Sequence, residues 1–230
     1  MTITGRRPFL GSLGGSLLSG LMAGTGLPLA AQYKPVQSDR PEAIAGDEPG
    51  FRPIFNGKNL DGWEGDPQLW KAQDSMIVGS TEGHPLEYNN FLSTKKTYAN
   101  FILKMQVKLR NHNSGIQFRS EYVPGLKWAV RGYQVDMAGD NYWGNIYEER
   151  GKRGTMVDGW KGKGEKVVKL KDWNDIELLC DGDHINVKLN GLETADLHDS
   201  LKLDGIIALQ LHKGPPMEVY FRNIQIKILK

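Results

Sequence analysis

From Phe51 to the C-terminus, apolar and polar residues alternate with a period of two. In the clearest run, residues 101–109, apolar side chains occupy the odd positions and mostly polar side chains the even ones. This alternation predicts a long antiparallel strand with one face in a core and the other in water. Similar runs occur at 116–121, 133–137, 176–180, 185–189, 206–211 and 224–228.

Turn-forming residues separate these runs. Asp181-Gly182-Asp183 and Asn190-Gly191 predict hairpins, because Asn-Gly and Asp-Gly pairs tolerate the positive φ angles of tight hairpin turns. No segment after Phe51 has the spacing of an amphipathic helix. About a dozen short strands in a chain of this length predict an all-β fold of two packed sheets. The Gly-rich stretch 151–164 is the exception: it is either a lid over a site, with Trp160 as the contact, or a solvated excursion of a hairpin.

The N-terminal residues 1–31 are typical of an export signal. Arg6-Arg7 precede an uncharged apolar stretch, which ends in the small residues Ala30-Ala31. The order Arg-Arg-Pro-Phe-Leu resembles a twin-arginine signal and predicts the periplasm or cell surface, while an uncleaved membrane anchor is the alternative. Residues 32–50 are predicted to form a linker, and residues 51–230 a single domain. We expect no membrane span once the signal is removed.

Composition excludes several kinds of partner and site. The 29 Lys and Arg residues face 27 Asp and Glu residues, and the surplus of two corresponds to Arg6 and Arg7. A neutral domain argues against nucleic acid as a partner, because phosphate binding depends on a positive field. The single Cys180 excludes an internal disulfide and a Cys-x-x-Cys zinc site.

Three predicted strands carry pairs of polar residues two positions apart, so that the members of each pair share a face. Such groups are directional hydrogen-bonding partners and together suit a sugar, although an ordinary solvent-facing sheet surface would also be polar. The pairs are Gln117 with Arg119, Gln134 with Asp136, and Gln210 with His212.

The segment 141–150 concentrates aromatic, amide and charged residues. Aromatic rings stack on the C–H groups of sugars, so Trp143 and Tyr147 are candidate contacts and Glu148 a candidate acid. The alternative interpretation is a core aromatic residue next to a Glu–Arg surface pair.

Four motifs in order resemble the 3-keto-disaccharide hydrolase domain family: FNGKNLDGW at 55–63, NSGIQFR at 113–119, GYQV at 132–135 and FRNI at 221–224. The resemblance extends from about Phe51 to the C-terminus. It implies a concanavalin-like jelly-roll sandwich whose concave sheet holds the ligand, and an exported bacterial protein that acts on glycans. The implied substrate is a glycoside oxidised at C3, from which a base removes the C2 proton and the C1 oxygen leaves by elimination.

That chemistry requires a base, a group that stabilises the enolate and an acid for the leaving oxygen. Among the residues of this chain, we expect Asp136 or His212 as the base, Arg119 at the enolate and Glu148 as the acid. The residues expected to bind the sugar are Gln117, Gln134, Trp143, Tyr147 and Gln210.

Several alternatives remain open at this point. A divalent metal held by Asp136, Glu148 or His212 would replace Arg119 as the electrophile, although no ligand spacing demands one and no cofactor is otherwise expected. A sugar 3-oxidoreductase is the expected pathway partner. The competing functions are a noncatalytic carbohydrate-binding module and an ordinary glycosidase that uses Asp136 and Glu148.

Overall fold

A computed structural model describes residues 48–230 of the chain. Fifteen strands and two short helical segments follow one another in this part. The strands are β1 (Arg52–Pro53), β2 (Trp63–Glu64), β3 (Trp70–Gln73), β4 (Met76–Ser80), β5 (Asn90–Tyr98), β6 (Phe101–Leu109), β7 (Asn113–Tyr122), β8 (Val130–Ala138), β9 (Asn141–Glu149), β10 (Thr155–Val157), β11 (Asn174–Asp181), β12 (His184–Leu189), β13 (Leu192–His198), β14 (Gly205–Leu211) and β15 (Glu218–Ile228). A helical turn at Trp160–Gly164 leads into α1 (Glu165–Val167).

The strands form two antiparallel sheets, which confirms the predicted two-sheet jelly-roll sandwich. Sheet I has the order β13-β12-β11-β6-β15-β4-β3, and β1 also pairs with β15. Sheet II has the order β10-β9-β8-β7-β14-β5-β2. Neighbouring strands are often distant in sequence, so each sheet brings together side chains from separate segments of the chain.

The core lies between the two sheets and follows the alternation in the sequence. Along β6 the odd-numbered residues are buried and the even-numbered ones are half-buried, as the pattern predicts. On sheet II, Ile116 and Phe118 of β7 and Val135 of β8 belong to the same apolar cluster. Burying this apolar surface is the main favourable contribution to folding. Cys180 is buried in the cluster as well.

The predicted hairpin between β12 and β13 turns at Asn190-Gly191. Both residues have positive φ, 49° and 84°, which is the backbone of a tight type I′ turn. The predicted turn around Gly182 likewise joins β11 to β12. Both hairpins are therefore confirmed. No helix in the described residues is long and apolar enough to cross a membrane.

The stretch 151–164 packs against the protein instead of forming a free lid. The side-chain oxygen of Asn145 accepts hydrogen bonds from the backbone N–H groups of Gly159 and Trp160, at 2.8 and 2.9 Å. A Cβ at Gly159 would lie only 2.0 Å from the Gly144 carbonyl oxygen, so the two backbones are in close contact. Trp160 is half-buried against the apolar core. Because it faces the core, Trp160 is not the contact that the lid interpretation of this stretch expected.

Candidate active site

A cavity of about 480 Å³ opens on the face of sheet II that points away from the core. Its volume is in the range of small-molecule binding sites. The strands β7, β8, β9 and β14 contribute most of the wall, together with the segments that follow β9 and β14. The lining residues are Asn89, Asn113, Gln134, Asp136, Tyr142, Tyr147, Glu149, Arg150, Thr155, Gln210 and His212.

Strand alternation decides which side chains reach the cavity. On β8, Tyr133, Val135 and Met137 enter the core, so Gln134 and Asp136 point to the opposite face. Gln134 is paired with Tyr147 of β9 in the sheet register, and that pairing brings Tyr147 to the same wall. The predicted residues Gln134, Asp136, Tyr147, Gln210 and His212 therefore come together. Gln117 is also on this face, but it is fully buried behind Gln134.

The position predicted for Glu148 is wrong, and its neighbour Glu149 is in the cavity instead. Adjacent residues of a strand point to opposite faces, and Glu148 is paired with the core-facing Tyr133. The Glu148 carboxylate accepts hydrogen bonds from the Arg153 backbone at 2.9 Å and from its guanidinium at 3.0 Å. The arginine keeps the pKa of Glu148 below its ordinary value.

Arg119 also lies outside the cavity, contrary to the prediction. The register between β7 and β8 shifts after Phe118, and Arg119 has a φ of 45°, so its side chain leaves the face occupied by Gln117. The buried guanidinium instead donates to the carbonyl oxygens of Ala99 and Gly182, at distances from 2.7 to 3.0 Å. Arg119 thereby joins turns at the end of the sandwich.

Trp143, predicted to bind sugar, is a core residue with 1% exposure. The next residue, Gly144, has a φ of 86°, and this irregularity lets Trp143 and Ile146 face the core although they are three positions apart. The indole N–H donates to the Gly139 carbonyl at 3.3 Å. The alternative interpretation of segment 141–150 is therefore confirmed for its core aromatic residue, Trp143. Glu148 does pair with an arginine, but the carboxylate is buried and the partner, Arg153, lies outside the segment.

The structure adds cavity residues that were not predicted as site residues. Arg150 is the only guanidinium among the lining residues, and its Nε lies 4.0 Å from Glu149 Oε1. Asn89 donates from its amide to the same carboxylate oxygen at 3.1 Å. Tyr142, 46% exposed, is a large aromatic side chain at the opening. The tract 141–150 contained a usable signal, since it held both Arg150 and Tyr142, but Asn89 is distant in sequence from every motif.

The two carboxyl groups in the cavity have altered acidity. The pKa of Asp136 is raised to about 6. Burial is the main cause, the hydrogen bond from the Gln134 amide opposes the shift, and the charge of Glu149 adds to it. Burial also raises the pKa of Glu149, while the hydrogen bond from Asn89 and the charge of Arg150 lower it. Both groups therefore hold protons at higher pH than exposed carboxyl groups do.

His212 lies immediately after β14. Burial lowers its pKa, against the effect of its hydrogen-bonding contact with the Lys213 carbonyl, so the neutral ring is favoured at neutral pH. Nδ1 is 2.6 Å from that carbonyl oxygen, which fits a tautomer with the proton on Nδ1 and a free lone pair on Nε2. His112 packs edge-on against this ring, with 5.1 Å between the ring centroids.

Two cavity-lining side chains each have a buried oxygen without a hydrogen-bond partner. These atoms are Oε1 of Gln210 and Oδ1 of Asn113. Buried polar atoms are nearly always paired, so these acceptors favour a ligand or water that supplies donors. The hydroxyl groups of a sugar are donors of that kind.

The donor set does not form a metal site. Among residues 48–230, no group of three or more His, Cys, Asp and Glu side chains is placed to hold a metal ion. Asp136 and His212 line the cavity, but Glu148, the third predicted ligand, pairs with Arg153.

Comparisons with known proteins agree with this architecture. A candidate glycosyl hydrolase from Parabacteroides distasonis superposes with a TM-score of 0.58 at 22% identity, covering 79% of this chain and 95% of that chain. A second from the same organism is 26% identical, with a TM-score of 0.55, and covers 78% and 99%. The carbohydrate-binding module CBM66 from Bacillus subtilis has a TM-score of 0.55 at 16% identity, covering 72% and 95%. A search of curated proteins gave no match.

A family model decides the assignment. The model for the 3-keto-alpha-glucoside-1,2-lyase-like domain matches residues 50–227. This range includes all residues that line the cavity and all strands, apart from the last residue of β15. The chain belongs to the 3-keto-alpha-glucoside-1,2-lyase-like domain family.

Proposed function

We propose that this protein cleaves glycosides that already carry a ketone at C3, by elimination across C1 and C2. The observation that carries the proposal is the convergence of Asp136, Glu149, Arg150 and His212 on one cavity. Membership of the family and the 26% identical glycosyl-hydrolase candidate support an action on carbohydrates. The specific reaction is our inference from the family match, and the cavity contains the kinds of groups that such a reaction requires.

The reaction begins with loss of the C2 proton, which the neighbouring ketone makes acidic. The electron pair forms a C2–C3 double bond, and the ketone oxygen becomes an enolate. The enolate then re-forms the ketone and expels the C1 oxygen, which takes a proton and leaves as the aglycone alcohol. Addition of water across the new C1–C2 double bond gives the 3-keto sugar, so the overall result is hydrolysis.

Asp136 is the base that the cavity favours. A pKa of about 6 leaves the carboxylate largely ionised at neutral pH and makes it a stronger base than an exposed aspartate. Asp136 also lies within a regular strand, so its position is well defined. His212, neutral and with Nε2 free to accept a proton, is the second candidate for this role.

Arg150 and Glu149 take the roles that the sequence assigned to Arg119 and Glu148. A guanidinium beside the cavity stabilises negative charge on the ketone oxygen as the enolate forms. Burial raises the pKa of Glu149, so more of this carboxyl group is protonated than in an exposed glutamate, and the protonated form is the one that acts as an acid for the leaving oxygen. The unpaired oxygens of Gln210 and Asn113 then accept hydrogen bonds from sugar hydroxyls.

The test is release of a chromogenic aglycone from a 3-keto-glucoside by the purified protein. We expect turnover by the wild type and a loss of ~10²-fold or more in Asp136→Asn if Asp136 removes the proton. Asp140→Asn, an exposed carboxylate just beyond β8, is the matched control and keeps full activity. His212→Ala decides between the two candidate bases in the same assay.

The assay is run after chelator treatment and again with added divalent cations. Absence of release under all of these conditions contradicts the proposal. If the protein then binds the unoxidised glycoside without changing it, the function is that of a binding module. If it hydrolyses the unoxidised glycoside, it is an ordinary glycosidase. An oxidoreductase that oxidises C3 of the sugar must supply the proposed substrate.

The pH dependence provides a further check on the base. Only ionised Asp136 removes a proton, so kcat/KM falls as the pH is lowered through about 6. A profile that stays flat from pH 7 to pH 5 contradicts Asp136 as the base.

A further inference from the structure

A chain of hydrogen bonds connects Asp136 to the interior of sheet II. The shortest contact of the Ser120 hydroxyl is with Oε1 of Gln117, at 2.7 Å, and the carbonyl oxygens of Phe118 and Tyr133 lie at 3.0 and 3.4 Å. Nε2 of Gln117 donates to Oε1 of Gln134 at 2.8 Å, and Nε2 of Gln134 donates to Oδ1 of Asp136 at 2.9 Å. All four residues are buried, and only Gln134 and Asp136 line the cavity.

The hydrogen bonds in this chain are directional because each amide has one donor end and one acceptor end. Since Oε1 of Gln134 accepts from Gln117, its Nε2 must face the carboxyl group of Asp136. Reversal of the Gln134 amide would place two oxygen atoms against each other. The chain therefore presents a donor to Asp136 and opposes a change in the orientation of Gln134.

Two glycines provide the space that the hydrogen-bonded side chains of Gln134 and Ser120 occupy. A Cβ at Gly115 would lie 2.3 Å from Cδ of Gln134, and a Cβ at Gly132 would lie 2.4 Å from Oγ of Ser120. Gly132 has a φ of 142° and would also bring its Cβ to 2.8 Å from the Ser120 Cα, so a side chain does not fit there. At Gly115 a Cβ would require the end of the Gln134 side chain to move.

We propose that Ser120 and Gln117 are positioning residues, which act through Gln134 to orient the Asp136 carboxylate and favour its ionised form. The role of Asp136 as a base rests on the proposed function, whereas the hydrogen bonds that orient its carboxyl group do not depend on that function. The other titratable or charged groups that line the cavity are Tyr142, Tyr147, Glu149, Arg150 and His212. Burial and the charge of Glu149 oppose ionisation of Asp136, so the donor from Gln134 offsets part of that effect.

The test is an NMR titration of the full chain labelled with ¹³C at the aspartate carboxyl carbons. The Asp136 signal is identified by its absence in Asp136→Asn. In Gln117→Leu, Gln134 loses the donor that sets its orientation, so we expect the Asp136 midpoint to rise by ~1 pH unit. Gln225→Leu is the matched control: this glutamine is also buried but lies on β15 of sheet I, and its loss leaves the midpoint unchanged.

A milder variant keeps the test decisive if Gln117→Leu does not fold. Ser120→Ala removes only the hydrogen bond farthest from Asp136, and we expect it to raise the Asp136 midpoint by ~0.5 pH unit. Such a titration resolves differences of ~0.2 pH unit. If the Asp136 midpoint of a folded variant differs from that of the wild type by less than this, the proposal is overturned.

The titration needs no substrate, so it separates this proposal from the proposed function. A wild-type protein without turnover would refute the reaction while the midpoints still decide whether the positioning chain exists. In an active protein, the acidic limb of kcat/KM moves to higher pH by the same amount as the midpoint. If Gln117 and Ser120 had only a structural role, their replacement would lower the stability of the protein but change neither the Asp136 midpoint nor the acidic limb of kcat/KM.

Discussion

Replacement of Arg119 by Met tests whether this residue is part of the fold or of the cavity. The guanidinium is fully buried and donates to three oxygens: the carbonyls of Ala99 and Gly182, and Oδ1 of Asn100. Ala99 and Asn100 connect β5 of sheet II to β6 of sheet I, while Gly182 is in a turn of sheet I. Loss of these bonds weakens the end of the sandwich where the two sheets meet.

The expected magnitude follows from the hydrogen bonds that are lost. A hydrogen bond from a charged donor contributes about 1.5–3 kcal/mol. Ala99 and Gly182 are exposed, so water replaces part of the lost donors, and Oδ1 of Asn100 still accepts from the Gly182 N–H at 3.1 Å. Removal of a buried charge offsets part of this cost, so we expect a net loss of about 3 kcal/mol in the free energy of unfolding. For a domain of this size, ~2–4 °C per kcal/mol gives a decrease in Tm of ~6–12 °C.

The assay is thermal unfolding followed by circular dichroism, with turnover of the 3-keto-glucoside measured well below the Tm. Arg131→Met is the control, since this exposed arginine pairs only at the surface with Glu121 and its loss changes Tm little. We expect Arg119→Met to keep kcat/KM within ~3-fold, because Arg119 does not reach the cavity. An unchanged Tm together with a ~100-fold loss of turnover would refute the structural role and restore the catalytic one.

Three other changes test the remaining conclusions. Glu149→Gln should lower turnover by ~10²-fold or more, because it removes the proposed acid. The adjacent Glu148→Gln should lower Tm slightly and leave turnover unchanged, because its side chain is on the opposite face of the strand. Equal effects of the two variants on turnover would contradict the strand register. Gln210→Met removes the unpaired buried oxygen, so it should raise the Tm and weaken binding of the sugar in calorimetry, and unchanged binding would exclude a contact from Gln210. Arg6→Lys with Arg7→Lys should block export in a cell-fractionation assay, and normal export of this double variant would exclude the twin-arginine route.

The export signal and residues 32–47 of the linker lie outside the described residues, so the localisation stays a prediction. Within residues 48–230, local pattern was enough to locate seven of the fifteen strands and to predict the sandwich. Alternation marks the buried face of β6 because a strand has one residue in two on each side. Asn190-Gly191 marked its hairpin because few other residues accept positive φ there.

The candidate site was predictable only where strand geometry is regular. Gln134 and Asp136 lie on an undisturbed part of β8, and they reach the cavity as their spacing predicted. Arg119 and Trp143 lie at irregularities of β7 and β9, where the alternation of faces is interrupted. Each of these two side chains therefore left the face to which simple counting assigned it.

The amino-acid order by itself determined the regularly alternating strands, the sandwich and one face of polar residues, because these depend on neighbours along the chain. Only the tertiary structure decided that Glu149 and Arg150, and neither Glu148 nor Arg119, meet Asp136. That choice depends on the register between strands and on the positions of bulges, which arise from contacts between segments distant in sequence. It also depends on the loop residue Asn89, which approaches Glu149 across 60 positions of the chain.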